Sequence, residues 1–317
     1  NEITDTGAGG VKLGGADAGE PLARRTGHNR ITDNHIHEGG RVFASAVGVL
    51  DIHSFGNTIS HNHIHDLYYT GVSCGWVWGY AANVSHDNRI EKNHIHDIGH
   101  GLLSDMGGIY TLGVQPGTVI RGNLIHDIQK RNYGGWAIYP DEGSSHILIE
   151  NNVCYNTTSQ VFHQHYGREN IVRNNIFAFG QEGQVSLSRA EAHNAFTFER
   201  NIVVGRGQAA FAAGYAGQLE KRGFKSDLNL LWDVTGASPS GVDGAHDKDA
   251  RWVARRAYTL EELRALGYDR HSIVADPKFK DLEHGDVTLA DDSPAWALGF
   301  EAIDLSDVGP RPVGARD

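Results

Sequence analysis

The five residues 93–97, with the sequence NHIHD, recur in close copies along two thirds of the chain and limit what each intervening segment can fold into. Successive copies begin 23 to 33 residues apart, which is too short for a separate domain but regular enough for one supersecondary unit per period. The pattern therefore predicts a solenoid with one coil per copy. The copies begin at Asn1, Asn34, Asn62, Asn93, Asn123, Asn152, Asn175, Asn201 and Asn229.

Residue types decide which solenoid this is. The alternation in NHIHD is typical of a short strand, with Asn, Ile and Asp on one face and the two His on the other. Short β-branched runs between copies are separated by Gly, Asn and Ser, and no long helical periodicity occurs. We predict an all-β, single-stranded, right-handed parallel β-helix of the pectate-lyase-like kind, in which the Asn side chains stack about 4.8 Å apart and bond to one another.

Composition limits the domain count and the partners. The array indicates one structural domain, with coils over residues 1–232 and a final coil, short helix and extended capping segment over residues 233–317. No run of 18 apolar residues occurs, so we expect no membrane span. The net charge of −11 argues against nucleic acid as a partner and is compatible with neutral glycans. The two cysteines have no spacing typical of a disulfide framework or a zinc site.

The two ends of the array carry different expectations. The chain starts on a repeat copy, so we expect upstream coils and an N-terminal cap, or a separate chain, to cover that end. Near the other end, Thr259 and Glu262 form a capping box and Gly267 is a good helix stop. We predict one short helix there, which together with the final extended segment covers the C-terminal opening of the solenoid.

Aromatic residues in neighbouring coils suggest a substrate platform. The segments GGIYT and WAIYP lie 29 residues apart, which predicts inward Ile109, Ile138 and Val161, and outward Tyr110, Tyr139 and Phe162 in one row. Trp136 lies on the second of these strands. An insertion at residues 66–90 adds five aromatic residues that either bury a loop or form sugar-stacking walls. They are Tyr68, Tyr69, Trp76, Trp78 and Tyr80.

Three carboxylates flank this row and are the candidate catalysts. Asp105 precedes the first strand, and Asp141 and Glu142 follow the second. Glycosidic bond cleavage needs one protonated and one ionised carboxyl across a sugar ring, and Asp105 with Asp141 or Glu142 could form such a pair. On straight strands these acids would lie at opposite strand ends, so both flanking loops must bend over the row.

Histidines raise the question of metal binding. His163, Gln164 and His165 lie one coil further on and could bind sugar hydroxyls, with no third metal ligand recognisable from the spacing. We interpret the His columns of the repeat copies as stacking between coils and predict no metal site. No cofactor is expected, apart from the possibility of a structural calcium ion at Asp243, Asp247 and Asp249.

The chain resembles a known enzyme family in these stretches. DMGGIYTLG, YGGWAIYPDEGSSHILIENNVCYNT and FHQHYGRENIVRNNIFAFG, with HSIVADPKF and SPAWALGFEAIDLSDVG near the end, are similar to glycoside hydrolase family 141, and more distantly to family 120. The resemblance implies a hydrolase of xylan-, fucoside- or pectin-type glycans with acidic catalysts, located outside the cell or in the periplasm. Asp105, Asp141 and Glu142 are the positions to which the motif carries over.

Two other functions stay open. A polysaccharide lyase or epimerase on this fold would need a base beside a uronate site, for which the region offers Lys130, Arg131 and Arg168. A noncatalytic solenoid would bind oligosaccharide without altering it. Formation of a new C=C bond would identify a lyase.

Overall fold

The computed structural model describes residues 1–213, 218–247 and 252–316. Over these ranges the chain winds through three long sheets, and each sheet receives about one strand per coil. Strand pairing is parallel throughout the coils, so the architecture is the predicted parallel β-helix. We call the sheet that holds the repeat copies the motif sheet, and the sheet that holds the GGIYT and WAIYP segments the site sheet.

The strands of each sheet follow one another in chain order. The motif sheet contains Glu2–Ile3, His35–His37, His63–Leu67, His94–Ile98, Leu124–Ile128, Val153–Thr157, Ile176–Ala178, Ile202–Gly205, Leu230–Asp233 and Ile273–Val274. The site sheet contains Val11–Gly14, Val49–Ile52, Val72–Gly75, Met106–Thr111, Gly135–Pro140, Phe162–Gln164, Val185–Leu187, Phe211–Ala213, Ser240–His246 and Trp252–Thr259. The third sheet contains Arg30–Thr32, Thr58–Ser60, Arg89–Glu91, Val119–Arg121, Leu148–Glu150, Asn170–Arg173, Phe196–Glu199 and Lys225–Asp227.

Smaller elements complete the chain. Thr26–Gly27 pairs with Ser54–Phe55, and Phe279–Asp281 pairs antiparallel with Asp286–Leu289. The last two strands of the site sheet are also antiparallel to each other. One α-helix spans Leu260–Leu266, and 3-10 turns lie at Leu22–Arg24, Leu282–His284, Pro294–Leu298 and Val313–Ala315.

The interior is a set of side-chain columns that follow from the strict register. From the second repeat copy onward, the central residue of each copy pairs with that of the next coil, and every member of this column is at most 1% exposed. Because each strand is only three to five residues long, its inward side chains gain their burial from the coils above and below. The column consists of Ile36, Ile64, Ile95, Ile125, Cys154, Phe177, Val203 and Leu231.

The predicted asparagine ladder is confirmed along the whole array. The side-chain Nδ2 of each repeat Asn donates to the Oδ1 of the Asn in the next coil, over distances of 2.9–3.3 Å from Asn1 to Asn229. The same Oδ1 also accepts the backbone N–H of the previous Asn, as between Asn62 and Asn93 at 3.1 Å. These buried amides are therefore satisfied by one another, which makes the ladder depend on identical residues in consecutive coils.

The Asp side chains of the repeat copies point outward, so the prediction that they share a face with the Asn and Ile side chains was wrong. Asp66, Asp97 and Asp127 have φ of 50°, 49° and 56°, in the left-handed region. This local kink turns each carboxylate outward, where it contacts Nδ1 of the preceding His at 2.6–2.7 Å. Inward packing resumes at the next residue, Leu67, Ile98 and Ile128.

The outer face of the motif sheet divides into two halves. From the second to the fourth repeat copy its outward positions are histidines, whereas later coils carry apolar residues such as Val153, Ile176 and Ile202 at the same positions. The C-terminal segment explains the change, because Phe300 and neighbouring apolar side chains pack on this later half.

The C-terminal segment then continues along the solenoid toward the first coils. Glu301 bonds to Asn174, Lys92 pairs with Asp307, and Arg311 pairs with Asp33. The prediction that this segment covers the C-terminal opening was therefore wrong. Its apolar side chains pack instead on the apolar outer half of the motif sheet.

The predicted short helix is confirmed with its signals. The Thr259 side chain accepts from Glu262 N while the Glu262 side chain accepts from Thr259 N, and Gly267 ends the helix with φ of 106°. Leu263 of this helix joins the core beside Leu219 and Tyr258. The helix therefore packs against the last coil of the site sheet.

Cys74 and Cys154 are buried free thiols, as their spacing suggested. Within the described ranges, no helix combines the length and the apolar character that crossing a membrane requires.

Candidate functional site

The site sheet brings the two aromatic segments side by side. Met106–Thr111 and Gly135–Pro140 are parallel neighbours with Ile109 opposite Ile138 and Tyr110 opposite Tyr139. Both Ile side chains are fully buried inside the solenoid, and the two Tyr rings stack outside it with centroids 4.6 Å apart. The 29-residue offset in the sequence therefore predicted the register of these strands correctly.

The third member of the row is His163, so the expected place of Phe162 was wrong. Phe162 pairs with Ile138 and is 0% exposed, which places its ring in the core. The turn from Phe162 to the next repeat Asn is one residue shorter than the turn from Ile138, and a one-residue slip reverses the facing of a strand. His163 therefore lies outward, where its ring stacks on Trp136 at 4.3 Å.

The two acids meet through the tyrosine pair. Tyr110 Oη donates to Asp141 Oδ2 at 2.5 Å, and Tyr139 Oη donates to Asp105 Oδ1 at 3.1 Å. Each tyrosine thus bonds to the carboxylate that belongs to the other coil. The flanking loops bend over the row, as a shared site required, and Asp105 itself has φ of 62° at the bend.

Burial and charge act differently on the two carboxyl groups. Desolvation raises the pKa of Asp141, and the neighbouring negative charge of Asp105 raises it further, while hydrogen bonds from Tyr110 and Tyr139 oppose the shift. Asp141 is 5% exposed, whereas Asp105 is partly open to solvent. Burial therefore favours the protonated form of Asp141.

The hydroxyls around the pair are held as donors. Burial, followed by the charge of Asp141, raises the pKa of both Tyr110 and Tyr139 above the ordinary range. Tyr69 donates to the backbone carbonyl of Asp105 at 2.8 Å, and burial with the Asp105 charge raises the pKa of Tyr133 to about 12. Both carboxyl groups thus face neutral O–H groups.

The aromatic row is packed and offers little open surface. Tyr110, Trp136 and Tyr139 are 4–5% exposed, and Trp76 covers them from the insertion. The expectation of a solvent-facing platform was therefore wrong for these rings. Trp78, 56% exposed and edge-on to Trp76 at 5.5 Å, is an open aromatic surface near the site.

Glu142 belongs to a separate cluster. Its carboxylate accepts from Tyr166 Oη at 3.0 Å, while the Arg189 guanidinium lies 4.1 Å from the Tyr166 ring centroid. Tyr80 contacts this cluster from the insertion and also bonds to Glu191. Consecutive side chains at the bend point apart, so the structure brings Asp105 and Asp141 together and directs Glu142 elsewhere.

The cluster after Phe162 also divides. Gln164 is fully buried and accepts from Asn170 at 3.0 Å, so it lies inside the solenoid and cannot contact a substrate on the outer face. His165 lies outside, with Nδ1 2.6 Å from Ser188 Oγ, and its charge lowers the pKa of Asp141 slightly against the stronger raising effects. His163 Nδ1 contacts Ser186 Oγ at 2.6 Å.

Possible metal ligands lie away from the acid pair. Within the described ranges, three groups of three side chains place ligand atoms within 4.8 Å of one another, and all are on the motif sheet. The calcium expectation involves Asp243, whose buried carboxylate accepts from Tyr258 at 2.8 Å, and Asp249, which lies outside the described residues.

The sequence patterns missed Tyr69 and Tyr133 as neighbours of Asp105. Tyr69 falls in the aromatic insertion and Tyr133 in a Gly-rich turn, and neither position repeats between coils. Tyr133 lies in the loop one coil after Asp105, and its carbonyl accepts from Asp105 N at 3.0 Å.

Comparisons with known proteins agree with this architecture. A family model described as "Right handed beta helix region" matches residues 76–225, which include the acid pair and its flanking strands. Together with the sheet topology, this makes the fold a right-handed parallel β-helix. No curated protein sequence matches the chain.

Two solved structures are similar in part. One, titled "Glycoside hydrolase", is 25% identical, covers 55% of this chain and 30% of its own, and has a TM-score of 0.42. The other, titled "The complex structure of XylC with xylose", is 12% identical, covers 83% of this chain and 40% of its own, and also has a TM-score of 0.42. The chain spans less than half the length of either protein.

Proposed function

We propose that this β-helix is a glycoside hydrolase in which Asp141 is the general acid and Asp105 the catalytic base or nucleophile. The observation that carries the proposal is the shared tyrosine pair, which joins carboxyl groups from neighbouring coils while burial favours the protonated form of one of them. An acid and a carboxylate in different environments are what hydrolysis of a glycosidic bond needs.

The spacing of the two groups supports the same reading. Tyr139 Oη bonds to Asp105, and its hydrogen bond also lowers the pKa of Asp141. Two oxygens that contact one hydroxyl are at most roughly 7 Å apart, because each hydrogen bond spans no more than about 3.5 Å. Paired carboxyls of glycosidases have separations of about 5–9.5 Å, so these two could act on one sugar ring.

The proposed reaction balances with water as the only co-reactant. Asp141 donates its proton to the glycosidic oxygen as the bond from that oxygen to the anomeric carbon breaks. The Asp105 carboxylate either bonds to the anomeric carbon or removes a proton from the water that attacks it. If Asp105 has bonded to the anomeric carbon, water then displaces it and gives up a proton to Asp141. If Asp105 has taken the proton from water, it releases that proton to solvent while Asp141 regains one from solvent, so both routes consume one water and release the free sugar.

The substrate class follows from the sequence resemblance and the exposed groups. Family 141-like sequence implies xylan-, fucoside- or pectin-type glycans, and the exposed Trp78 face is suited to stack on the C–H face of a pyranose. Asp105 is the partly open member of the pair, so we propose that the sugar reaches the site from its side.

The lyase alternative has weaker support. Among the bases that the region offers, Lys130 is paired with Glu182 and the Arg168 guanidinium lies 4.9 Å from the Tyr80 ring centroid. The raised pKa values of Tyr110 and Tyr139 also make these hydroxyls poor bases. Absorbance from a C=C bond in the product would identify this reaction and exclude hydrolysis.

The test is sugar release from xylan, fucosylated and pectic oligosaccharides by the whole chain and its Asp105→Asn and Asp141→Asn variants. We expect turnover to fall by about 10²–10⁴-fold in each, because general acid and base catalysis contribute that much. Asp87→Asn is the matched control, since Asp87 is an exposed residue with φ of 54° that bonds to His86.

The variants must also remain folded, as measured by circular dichroism. Turnover that survives in both Asp105→Asn and Asp141→Asn would exclude the paired-acid mechanism. Binding of oligosaccharide without any cleavage by the unmodified chain would indicate the noncatalytic solenoid instead.

A further inference from the structure

The first coils of the motif sheet carry two columns of histidine on their outer face, which we call the histidine ladder. Within each column the rings of consecutive coils stack at 4.8–5.1 Å with interplanar angles of 2–9°. The first column is His35, His63 and His94, and the second is His37, His65, His96 and His126. All seven side chains are partly buried.

The columns are joined by close contacts between ring nitrogens. Nε2 of His63 lies 2.7 Å from Nε2 of His96 in the next coil, and the pairs His35 with His65 and His94 with His126 show the same contact at 2.6 and 2.9 Å. Two neutral imidazoles this close must share one proton, so one nitrogen of each pair presents a lone pair to the other.

Neighbouring carboxylates determine which nitrogen of each pair carries the lone pair. Asp66, Asp97 and Asp127 each contact Nδ1 of the second-column His at 2.6–2.7 Å. Nδ1 therefore donates its proton to the carboxylate, and Nε2 keeps a lone pair that points at the first column. A carboxylate that holds one imidazole nitrogen while the other faces a common point is the usual arrangement behind metal-binding histidines.

The nitrogens also converge in threes. His35, His63 and His65 place ligand atoms within 4.8 Å of one another, and His63, His94 and His96 do the same. A zinc ion lies about 2.0–2.1 Å from each ligand nitrogen. Three nitrogens that lie within 4.8 Å of one another therefore need only small ring movements to bind the same ion. His63 belongs to both groups.

Carboxylates beside the ladder supply negative charge for a cation. Asp66, Asp97 and Asp127 form a row along the second column, each in contact with one of its rings. Metals bind the neutral form of imidazole, which is the form that a donated Nδ1 proton and a free Nε2 lone pair describe.

Stacking alone does not explain why these positions are histidine. Tyr155 continues the second column in the next coil, and its ring stacks on His126 at 4.8 Å with an interplanar angle of 3°. An aromatic residue without a ring nitrogen therefore continues the stack with the same geometry. The repeated choice of histidine is explained by the nitrogens.

We propose that the histidine ladder binds a divalent transition-metal ion of the zinc type, through His63 together with His35 and His65 or with His94 and His96. The proposal is independent of the glycosidase assignment, because the ladder lies on the motif sheet and the acid pair on the site sheet.

The experiment is a calorimetric titration of the whole chain, without a histidine tag, with Zn²⁺ alone at neutral pH. We expect saturable binding, and visible absorption bands of a nitrogen-ligated ion when Co²⁺ replaces Zn²⁺. His63→Phe keeps an aromatic ring in the stack but removes a ligand from both groups, so Zn²⁺ affinity should fall at least tenfold.

Asp97→Asn tests the supporting carboxylate while all ladder rings stay in place. Asp97 has φ of 49°, which Asn tolerates, and loss of such a carboxylate typically lowers metal affinity about 10–100-fold. This variant keeps the proposal testable if His63→Phe fails to fold. The double variant His35→Phe/His63→Phe also removes a ligand from the third group, Glu2, His35 and His37.

His86→Gln is the matched control. His86 Nδ1 contacts Asp87 at 2.7 Å, as in the ladder, but His86 is in none of the three-residue groups. Its substitution should leave Zn²⁺ binding unchanged. The proposal is overturned if the chain binds no Zn²⁺, if folded His63→Phe and Asp97→Asn variants bind it as well as the unmodified chain, or if His86→Gln weakens binding equally.

Discussion

At the scale of single residues, the same few chemical groups acquire different properties from their place in a coil. Asp105 and Asp141 frame the same tyrosines, yet only Asp141 is almost fully removed from water. Asp97 stands in a repeat copy and serves to hold a histidine ring. What each carboxylate can do is therefore determined by the turn that precedes or follows it.

Tyr139→Phe tests how the shared hydroxyl adjusts the acid pair, given the proposed function. The Tyr139 hydrogen bond lowers the pKa of Asp141, so its loss should raise that pKa. A general acid with a higher pKa stays protonated to higher pH. The basic limb of the kcat/KM profile should therefore shift to higher pH, by up to about one pH unit.

The matched control for this measurement is Tyr166→Phe, which removes a hydroxyl bonded to Glu142 instead. Its pH profile should stay in place. A shift of equal size in Tyr166→Phe would mean that Glu142 takes part in the reaction and would contradict the separation of the two clusters.

At the scale of elements, the repeat copies predicted the coils, the inward Ile column and the asparagine ladder, because those features recur in every period. The register at Phe162 was not predictable from the period, since one residue fewer in a turn reverses the facing of the strand. The outward Asp66 was missed for a related reason, because its left-handed φ interrupts the strand alternation. The meeting of Asp105 with Asp141 depends on two irregular loops, which carry no repeat signal.

Asn93→Ala measures what one rung of the ladder contributes. Asn93 Oδ1 accepts from Asn62 N and Nδ2, and its own Nδ2 donates to Asn123. Truncation leaves these buried groups without partners, so we expect a loss of about 2–4 kcal/mol in the free energy of unfolding, measured by urea denaturation.

Asn1→Ala is the control at the exposed end of the same ladder. Water can replace its single side-chain bond, so the loss should stay below about 1 kcal/mol. Equal losses for the two variants would show that the buried rungs gain nothing from their neighbours.

At the scale of the whole molecule, the C-terminal segment joins coils that are far apart. Its apolar part covers the later half of the motif sheet, and its end reaches the first coils through Lys92 and Asp33. The last four repeat copies depart from the NHIHD sequence and carry apolar residues. These apolar residues form the surface that the C-terminal segment covers. Sequence inspection could not pair the two, because the segment has no period in common with the coils.

The Asp33–Arg311 contact gives the pH dependence of this attachment. Hydrogen bonds from Arg311 lower the pKa of Asp33 from its ordinary value near 3.8 to about 2. A lowered folded-state pKa stabilises the protein above the unfolded value and loses that effect as pH falls through the folded value. The contribution of roughly 2 kcal/mol should thus be complete above about pH 4 and lost near pH 2.

Arg311→Gln should remove that acid-sensitive contribution. Limited proteolysis within residues 303–316 should become faster in this variant at neutral pH, and its cleavage rate should change less between pH 5 and pH 3 than that of the unmodified chain. Arg316→Gln is a suitable control, because the Arg316 side chain donates to the nearby Arg311 carbonyl. Identical cleavage in the unmodified chain and Arg311→Gln would show that the contact does not hold the segment.

The return of the C-terminal segment along the solenoid has a consequence for how the molecule assembles. A stack of coils held only by neighbours could grow and fray from either end, one rung at a time. Here Arg311 bonds to Asp33, which lies 278 positions earlier in the chain and is translated first. The contact can therefore form only after both residues have been translated, and it couples the opening of the coil that contains Asp33 to the release of the segment that contains Arg311.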